Sequence, residues 1–194
     1  MSRLILASAS PRRKELLASL YADFEACPVG IEERALPAEK PGDYVQRLAY
    51  EKATAGVERF AADNGQVWVL GSDTIVVSGE AILEKPQHKA DFERMMGRLS
   101  GATHQVMTAV CLRNTERVLN ACVVTEVNFR PLSQSDITAY WQTGEPADKA
   151  GGYGIQGLAA RFVRSISGSY TSVVGLPLCE TEALLNQAGF RTSM

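Results

Sequence analysis

Residues 4–13 read LILASASPRR, and this stretch sets the expectation for the fold. Its three opening apolar residues, Leu4–Leu6, are typical of a strand buried on both faces of a sheet. A helix is predicted to follow, because Ser10 is a preferred N-cap and Pro11 suits the first helical position. The stretch therefore predicts a strand that passes into a helix within a few residues.

The start of this helix is a predicted anion site. Its first backbone N–H groups have no partner in the helix, and they mark the positive end of the helix dipole. Arg12 and Arg13 add two positive charges to the first turn, where the dipole favours acids. A bound phosphate would offset that cost, and a guanidinium group can donate two parallel hydrogen bonds to it. The alternative is a solvated basic turn, since most arginines lie on the surface.

The composition describes an ordinary globular chain. Its 194 residues are 45% hydrophobic, carry a net charge of −2 and contain no repeat or linker, which predicts one domain over residues 1–194. The acidic balance disfavours a nucleic-acid partner. Neither a membrane span nor a signal peptide is evident, so a cytoplasmic protein is expected.

The four cysteines follow no paired spacing, so they suggest neither a zinc site nor a disulfide framework. We expect all of them to be small buried hydrophobic residues. They are Cys27, Cys111, Cys122 and Cys179.

A charged residue interrupts the apolar face of the second predicted helix, residues 43–60. At 100° per residue, Lys52 falls within the arc that contains Val45 and Leu48. Two interpretations are equally open: its ammonium group reaches past the apolar surface to solvent, or it meets a negative partner in a cleft.

Asp73 stands in the most hydrophobic run of the chain. It follows the predicted strand Val67–Leu70, and apolar residues resume at Ile75. Burying a lone carboxylate is costly, so Asp73 needs strong partners, a position at the end of a strand, or a chemical role. Sites in α/β sheets gather at the carboxyl ends of parallel strands, which favours a role in chemistry. The alternative is a turn acid that bonds its own backbone.

Two further charged positions are weaker candidates. Glu32 and Glu33 lie in a polar loop, where adjacent acids are usually solvated but can bind a metal ion, and Glu33 is the candidate ligand. Lys85 precedes a proline and is therefore held extended, which suits a contact with phosphate as well as it suits an ordinary surface lysine.

The later part of the chain predicts a mixed sheet. Segments 105–112 and 118–129 are rich in Val and Thr and are separated by a polar turn, so they are expected to be antiparallel neighbours. A helix should begin at Ser133, where Asp136 completes a capping box. The two histidines lie in separate segments and support no His-based triad or metal motif.

A glycine-rich segment, GEPADKAGGYGIQG, spans residues 144–157. Its GxGxxG spacing is rejected as a dinucleotide fingerprint, because a loop precedes it and LAARFV at 158–163 is expected to be a strand. What remains is a loop whose backbone can approach a ligand closely. Gln156 has a donor and an acceptor that suit an amide-like base edge, although an ordinary solvated amide is equally compatible.

Together these segments resemble the Maf family of nucleoside triphosphate pyrophosphatases. The resemblance spans almost the whole chain and rests on five ordered motifs: SASPRR at 8–13, SDT at 72–74, EKP at 84–86, KAGGYGIQG at 149–157 and GSYTSVVGLP at 168–177. It implies an α/β fold with a mixed twisted sheet, flanking helices and two lobes around a deep central cleft, similar to Maf and ITPase proteins. A homodimer is also implied.

The resemblance implies hydrolysis of a nucleoside triphosphate between its α and β phosphates. Asp73 would accept the proton of the attacking water, and a divalent cation, Mg²⁺ or Mn²⁺, would assist. Its candidate ligands are Asp73 and the loop residue Glu33, of which Glu33 is proposed from its place in the acidic loop alone. The residues implied for phosphate binding are Ser8, Ser10, Arg13, Lys52 and Lys85.

Three positions distinguish the branches of the family that this chain resembles. Arg12, Thr74 and Gln156 match the branch that acts on dTTP and UTP, whereas the branch for 7-methyl-GTP has Trp, Gln and Glu there. The expected function is therefore removal of dTTP, UTP and, as an extension, modified pyrimidine triphosphates. The alternatives are a 7-methyl-GTP pyrophosphatase and a nucleotide-sensing regulator of septum formation.

Overall fold

The computed structural model describes residues 2–60 and 67–192. They form two compact units, each made from separate parts of the chain. The first unit comprises Met1–Asp73, Thr108–Val123 and Gly175–Met194, and the second comprises Thr74–Met107 and Val124–Val174. The single domain expected over residues 1–194 stays a prediction.

The described elements alternate between strands and helices along most of the chain. The strands are β1 Arg3–Leu6, β2 Phe24–Ala26, β3 Val67–Ser78, β4 Ala81–Leu83, β5 Thr103–Arg113, β6 Val118–Phe129 and β7 Val163–Ser167. The helices are α1 Pro11–Leu20, α2 Pro41–Arg59, α3 Lys89–Leu99, α4 Gln134–Gln142, α5 Tyr170–Val174 and α6 Leu178–Gln187. Short 3₁₀ turns occupy Glu145–Asp148, Ala150–Gly152 and Leu158–Phe162.

The strands form a seven-stranded mixed sheet of order β2-β1-β3-β5-β6-β7, with β4 paired to β3. Strand β1 runs parallel to β2 and β3, whereas β4 is antiparallel to β3 and β7 is antiparallel to β6. The predicted mixed α/β class is confirmed. Among the described helices, none combines the length and apolar character needed to cross a membrane.

The opening strand and helix form as the sequence predicts. Leu4, Ile5 and Leu6 are buried, Ser10 caps α1 with its hydroxyl, and Pro11 occupies the first turn. In the first unit, Leu4 and Leu6 pack with Leu17 of α1 and Leu184 of α6 in one apolar core. The burial of these leucines fixes α1 and its N-terminus directly beyond the end of β1.

Trp68 and Leu70 of β3 face the apolar core that contains Leu17 of α1 and Leu184 of α6, and helix α2 covers the other face of this strand. An added Cβ on Gly56 of α2 would lie 2.5 Å from Cγ1 of Val69, so the helix and the strand are in close contact there. Side chains alternate between the two faces of a strand, so Val69, Gly71 and Asp73 share the face that α2 covers.

The second unit has an aromatic core. Tilted and edge-to-face contacts join six of its rings, with centroids between 4.9 and 6.1 Å apart. These rings belong to Phe92, His104, Phe129, Tyr140, Tyr153 and Phe162.

Three expectations from the sequence were wrong in detail. Strand β3 does not end at Leu70 but continues to Ser78, because it gains a second partner in β4 after its pairing with β1 has ended. The segment expected as a strand from residue 158 is a 3₁₀ turn, Leu158–Phe162, and β7 starts only at Val163. Cys122 and Cys179 are exposed, whereas Cys27 and Cys111 are buried as expected.

Candidate active site

The centre of the candidate site is a buried ion pair between α2 and β3. The ammonium Nζ of Lys52 lies 2.6 Å from Oδ1 of Asp73, and the two residues are only 8% and 6% exposed. The amine of Lys52 meets a negative partner, as the second of the two interpretations of this residue expected. The partner is the residue that interrupts the apolar run of β3.

The close contact of helix and strand at Gly71 brings this pair together. An added Cβ on Gly71 would lie 2.6 Å from the backbone N of Ala53, and still closer to the carbonyl oxygen of Ala49. No other residue fits without moving the helix backbone. Because Lys52 precedes Ala53 on α2 and Asp73 lies two residues beyond Gly71 on the same face, this contact sets their separation.

A second carboxylate reaches the same ammonium group. Oε1 of Glu33 lies 2.6 Å from Nζ of Lys52, and the Glu33 side chain is 45% exposed. Of the two adjacent acids in the loop, the structure therefore places the predicted candidate, Glu33, beside Lys52. One lysine then bridges a buried and a half-exposed carboxylate.

Arg47 of α2 anchors the loop that carries Glu33. Its guanidinium donates to both carboxylate oxygens of Glu39, at 2.6 and 2.8 Å, and to the carbonyl oxygen of Arg34 at 2.9 Å. Glu39 also accepts the backbone N–H of Leu36 at 2.9 Å. Arg47 thus ties the loop to the helix at the residue next to Glu33.

The N-terminus of α1 supplies the predicted cations. Ser10 accepts the backbone N–H of Arg13, no acidic residue stands in the first turn, and Ser8 accepts the backbone N–H of Ser10 at 3.2 Å. Arg13 donates through Nε to the carbonyl oxygen of Gly175 at 2.8 Å. The Ser72 hydroxyl donates to the same carbonyl at 3.1 Å. Gly175 therefore joins α1 to the strand residue that precedes Asp73.

The electrostatics of the site are dominated by burial. Burial raises the pKa of Asp73, and the nearby Glu33 carboxylate adds to this rise, while the charges of Lys52 and Arg13 oppose it. Burial lowers the pKa of Arg13, opposed by Asp73 and Glu33. A carboxyl group whose pKa is raised binds a proton more readily than an ordinary carboxylate, which suits a proton acceptor. Asp73 and Arg13 shift each other's pKa, so Arg13 of α1 is close enough to interact electrostatically with the buried pair of Lys52 and Asp73.

The donor set fits the divalent cation that the resemblance implies. Mg²⁺ at sites of phosphoryl chemistry is held by one or two carboxylates, with phosphate oxygens and water completing its coordination. Glu33 and Asp73 provide hard oxygen donors, and both carboxylates contact the ammonium group of Lys52 at 2.6 Å. Among residues 2–60 and 67–192, no group of three or more His, Cys, Asp or Glu side chains converges to hold a metal ion. The carboxylates therefore suit a cation that is held jointly with the phosphates of a substrate, and not a cation that is held by protein ligands alone.

Three predicted residues belong to the second unit. Thr74 is half-buried on β3, Lys85 is exposed after β4, and Gln156 is exposed in the glycine-rich loop. Gly151 of that loop donates its N–H to the carbonyl oxygen of Glu84, the neighbour of Lys85, at 3.0 Å. The loop and the segment that carries Lys85 are therefore bonded together.

The structure thus brings the carboxylates of Glu33 and Asp73 into contact with the ammonium group of Lys52, and Arg13 is close enough to affect the pKa of Asp73. The sequence analysis missed the roles of Arg47, Glu39 and Gly175. Gly175 lies inside the GSYTSVVGLP motif, which was a usable signal. Nothing in the sequence pairs Arg47 with Glu39, because both look like ordinary surface charges.

These features define an α/β protein whose candidate active site combines a buried acid with cations from a helix N-terminus, as expected for a site that handles phosphate groups. A model of the family described as Maf-like protein matches residues 3–188. The chain therefore belongs to the Maf family, and the predicted family is confirmed.

Named relatives match over nearly the full chain. A dTTP/UTP pyrophosphatase from Pectobacterium atrosepticum is 54% identical over 194 residues, covering 100% of this chain and 97% of that protein. Proteins with the same name from Pseudoalteromonas translucida and Vibrio cholerae are 56% and 52% identical, covering 93% and 96% of this chain and 94% and 98% of theirs. The solved Staphylococcus aureus Ham1 protein is 12% identical, with a TM-score of 0.42 over 66% of this chain and 72% of that one. That likeness is too weak to bear on the fold or the function.

Proposed function

We propose that this protein is a nucleoside triphosphate pyrophosphatase that hydrolyses dTTP and UTP to the monophosphate and pyrophosphate. The observation that carries the proposal is the buried contact between Lys52 and Asp73, with Glu33 on the same ammonium group. The names of relatives at 52–56% identity support the choice of substrates.

In the proposed reaction, Asp73 is the general base. It accepts a proton from water as the water oxygen bonds to the α-phosphorus, and the bond from that phosphorus to the α,β-bridging oxygen breaks. Pyrophosphate leaves with the electrons of that bond. The raised pKa of Asp73 suits this role, because a base is most effective when its pKa lies closer to the working pH.

The cations hold the triphosphate and offset its charge. Phosphoryl transfer depends mainly on positioning and charge neutralisation, and the N–H groups of α1, Arg13 and Lys52 can provide both. Ser8, Ser10 and Lys85 complete the proposed phosphate-binding set. Glu33 and Asp73 would hold the divalent cation, Mg²⁺ or Mn²⁺, which when bound supplies positive charge at the phosphate oxygens.

The base is proposed to be recognised by Gln156 with Arg12 and Thr74. A carboxamide offers one donor and one acceptor group, which matches the carbonyl and imide edge of uracil or thymine. Discrimination against cytosine requires that the carboxamide keep one orientation, because cytosine has an amine where uracil has a carbonyl and a flipped carboxamide would pair with it. Modified pyrimidine triphosphates that keep this edge are included in the proposal.

The test is a turnover screen with Mg²⁺ or Mn²⁺ against dTTP, UTP, CTP, ATP, GTP, 7-methyl-GTP and pyrimidine triphosphates with a modified ring. Pyrophosphate and orthophosphate are quantified separately. We expect one pyrophosphate per monophosphate, no orthophosphate, and the highest kcat/KM for dTTP and UTP. In H₂¹⁸O the label should enter the monophosphate. A preference for 7-methyl-GTP, or the release of orthophosphate, would contradict the proposal.

A homodimer, a cytoplasmic location and the lack of a stable nucleic-acid partner belong to the same proposal. Sedimentation of the purified protein tests the first. Binding to oligonucleotides over a range of salt concentrations tests the last, since a nucleic-acid binder loses affinity steeply as salt rises.

A further inference from the structure

The glycine-rich loop of the second unit is folded around one carboxylate, that of Glu145. Oε2 of Glu145 accepts the backbone N–H of Leu158 at 3.0 Å. An added Cβ on Gly157 would lie 2.5 Å from the same oxygen, so a side chain at this position would displace the carboxylate. Glu145 is therefore half-buried, with its carboxylate against the backbone of the loop.

A buried tyrosine ties the carboxylate to the other side of the loop. The Tyr140 hydroxyl donates to Oε1 of Glu145 at 2.7 Å and accepts the backbone N–H of Gly154 at 3.2 Å. Tyr140 is 3% exposed, and its ring packs against Phe92 and Phe162 at centroid distances of 6.0 and 5.3 Å. The aromatic core of the unit thus fixes the position of this hydroxyl.

The two anchored amides lie on either side of one residue. Gly154 and Leu158 are each two residues from Gln156, so the pair Tyr140 and Glu145 holds both flanks of the backbone that presents this side chain. Gln156 itself is exposed, and within the described part of the chain its carboxamide makes no hydrogen bond. The loop backbone therefore sets the point from which this side chain extends, and no side-chain partner contributes.

The protonation states keep this arrangement intact at neutral pH. Burial raises the pKa of Glu145, but hydrogen bonds from the Leu158 amide and the Tyr140 hydroxyl outweigh it, so the pKa lies below its usual value and the group is ionised. Burial, then the bond to Glu145, raise the pKa of Tyr140, so its hydroxyl keeps the proton that it donates.

From this geometry we infer that Tyr140 and Glu145 are positioning residues that set the selectivity for uracil and thymine by fixing the backbone around Gln156. The inference rests on the proposed function, in which Gln156 recognises the base. Neither residue touches the phosphates or the attacking water in that proposal, so their loss should alter base selection more than the chemical step.

The test compares Tyr140→Phe and Glu145→Gln with Gln156→Ala. The ratio of kcat/KM for UTP to that for CTP should fall by about tenfold in each variant. Most of the loss for UTP should appear in KM, with kcat nearly unchanged. Tyr50→Phe, which changes a tyrosine on α2 of the first unit, is the matched control and should leave the ratio as in the wild type. Hydrogen exchange should accelerate at the amides of residues 154 and 158 in both positioning variants.

Equal losses of kcat/KM for UTP and CTP, with an unchanged ratio, would reduce the pair to a purely structural role and overturn the inference. An unchanged ratio in Gln156→Ala would overturn it as well. If the wild type releases no pyrophosphate from any triphosphate, the proposed function fails. The same variants are then compared by the ratio of their Kd values for UTP and CTP, which still decides whether the pair controls base selection.

Discussion

Lys52 and Asp73 lie 21 residues apart in the chain, yet their side chains meet at 2.6 Å inside the protein. Removing either partner would leave the other charge buried with less compensation, which is costly. Such a pair is weak evidence for stability, because apolar residues of similar size often stabilise a core better. Its position beside Glu33 and Arg13 therefore favours a catalytic explanation.

The first prediction concerns Asp73→Asn, which keeps the size of the side chain and removes the proton acceptor. Turnover of UTP should fall at least about a hundredfold, the usual contribution of a general base. Nucleotide binding should remain, because the phosphates are held by other groups. Pyrophosphate release and the Kd for UTP measure the two effects.

The same variant separates an enzyme from a regulator that only senses nucleotide. Unchanged pyrophosphate release in Asp73→Asn would refute Asp73 as the base. Lost binding together with lost turnover would show instead that the carboxylate mainly holds the ligand. Glu126→Gln, which changes an exposed acid on β6, controls for the loss of one negative charge.

The second prediction concerns the close contact at Gly71. In Gly71→Ala the added methyl group meets the backbone of α2 at Ala49 and Ala53, so the helix must shift. Overpacking of this kind costs about 1–3 kcal/mol of unfolding free energy. Because α2 carries Lys52, kcat should fall as well. Denaturant unfolding and UTP turnover provide the measurements.

Gly97→Ala is the matched control for that variant. Gly97 is exposed on α3 and a Cβ there meets nothing within 4 Å, so alanine should stabilise the protein by about 0.5–1 kcal/mol. If the Gly71→Ala protein is as stable as the wild type, helix α2 can move to admit the methyl group at little cost. The contact at Gly71 then does not set the distance between Lys52 and Asp73.

Much of the fold and part of the site could be predicted from the sequence. Periodicity placed Lys52 on the buried face of α2, and the interrupted apolar run identified Asp73, because both signals are local. The contact of Glu33 with Lys52 could not be predicted, since loops carry no periodic pattern that fixes their partners.

Longer-range pairings in irregular backbone could not be predicted. The segment that begins at Leu158 has an apolar pattern that suggests a strand, but its first amide bonds to Glu145 instead and the chain turns after Gly157. The pairing of Tyr140 with Gly154 depends on the position of the aromatic core, which no local pattern encodes. Tertiary contacts therefore overrode local propensity at this loop.

The third prediction is a pH dependence of stability that arises from His104. This residue is 2% exposed and its Nε2 bonds the Tyr153 hydroxyl at 2.8 Å. Burial lowers the pKa of His104 from 6.5 to about 4. The unfolded chain thus binds a proton at a higher pH than the folded protein does. The contribution of neutral His104 to the free energy of unfolding is therefore complete above about pH 6.5, and it is lost as the pH falls toward 4.

A shift of that size corresponds to about 3 kcal/mol at the acidic end. His104→Phe should remove this component, so the melting temperature should fall less between pH 7 and pH 4 than in the wild type. His88→Gln is the control, because His88 is exposed at the N-cap of α3. Equal slopes in the wild type and His104→Phe would show that the imidazole does not stay neutral through burial.

The fourth prediction concerns the anchoring of the Glu33 loop by Arg47. Arg47→Lys keeps the charge but cannot form the paired bonds to Glu39 and the bond to the Arg34 carbonyl. If Glu33 helps to hold a divalent cation, the Mg²⁺ concentration for half-maximal turnover should rise several-fold, with kcat at saturating Mg²⁺ nearly unchanged. The supporting shell of a metal ligand typically contributes about 10–100-fold in affinity.

Glu39→Gln should also raise the Mg²⁺ concentration for half-maximal turnover, because it removes the charged group of the loop to which Arg47 binds. Hydrogen bonds from Arg47 lower the pKa of Glu39 to about 2, so the carboxylate is ionised at the pH of any such assay. Glu51→Gln is the matched control: Glu51 also accepts from Arg47, at 3.0 Å, but lies on α2 itself and not on the loop. If the Mg²⁺ concentration for half-maximal turnover rises as much in Glu51→Gln as in Glu39→Gln, Arg47 acts through the helix. That result would contradict the proposed anchoring of the loop.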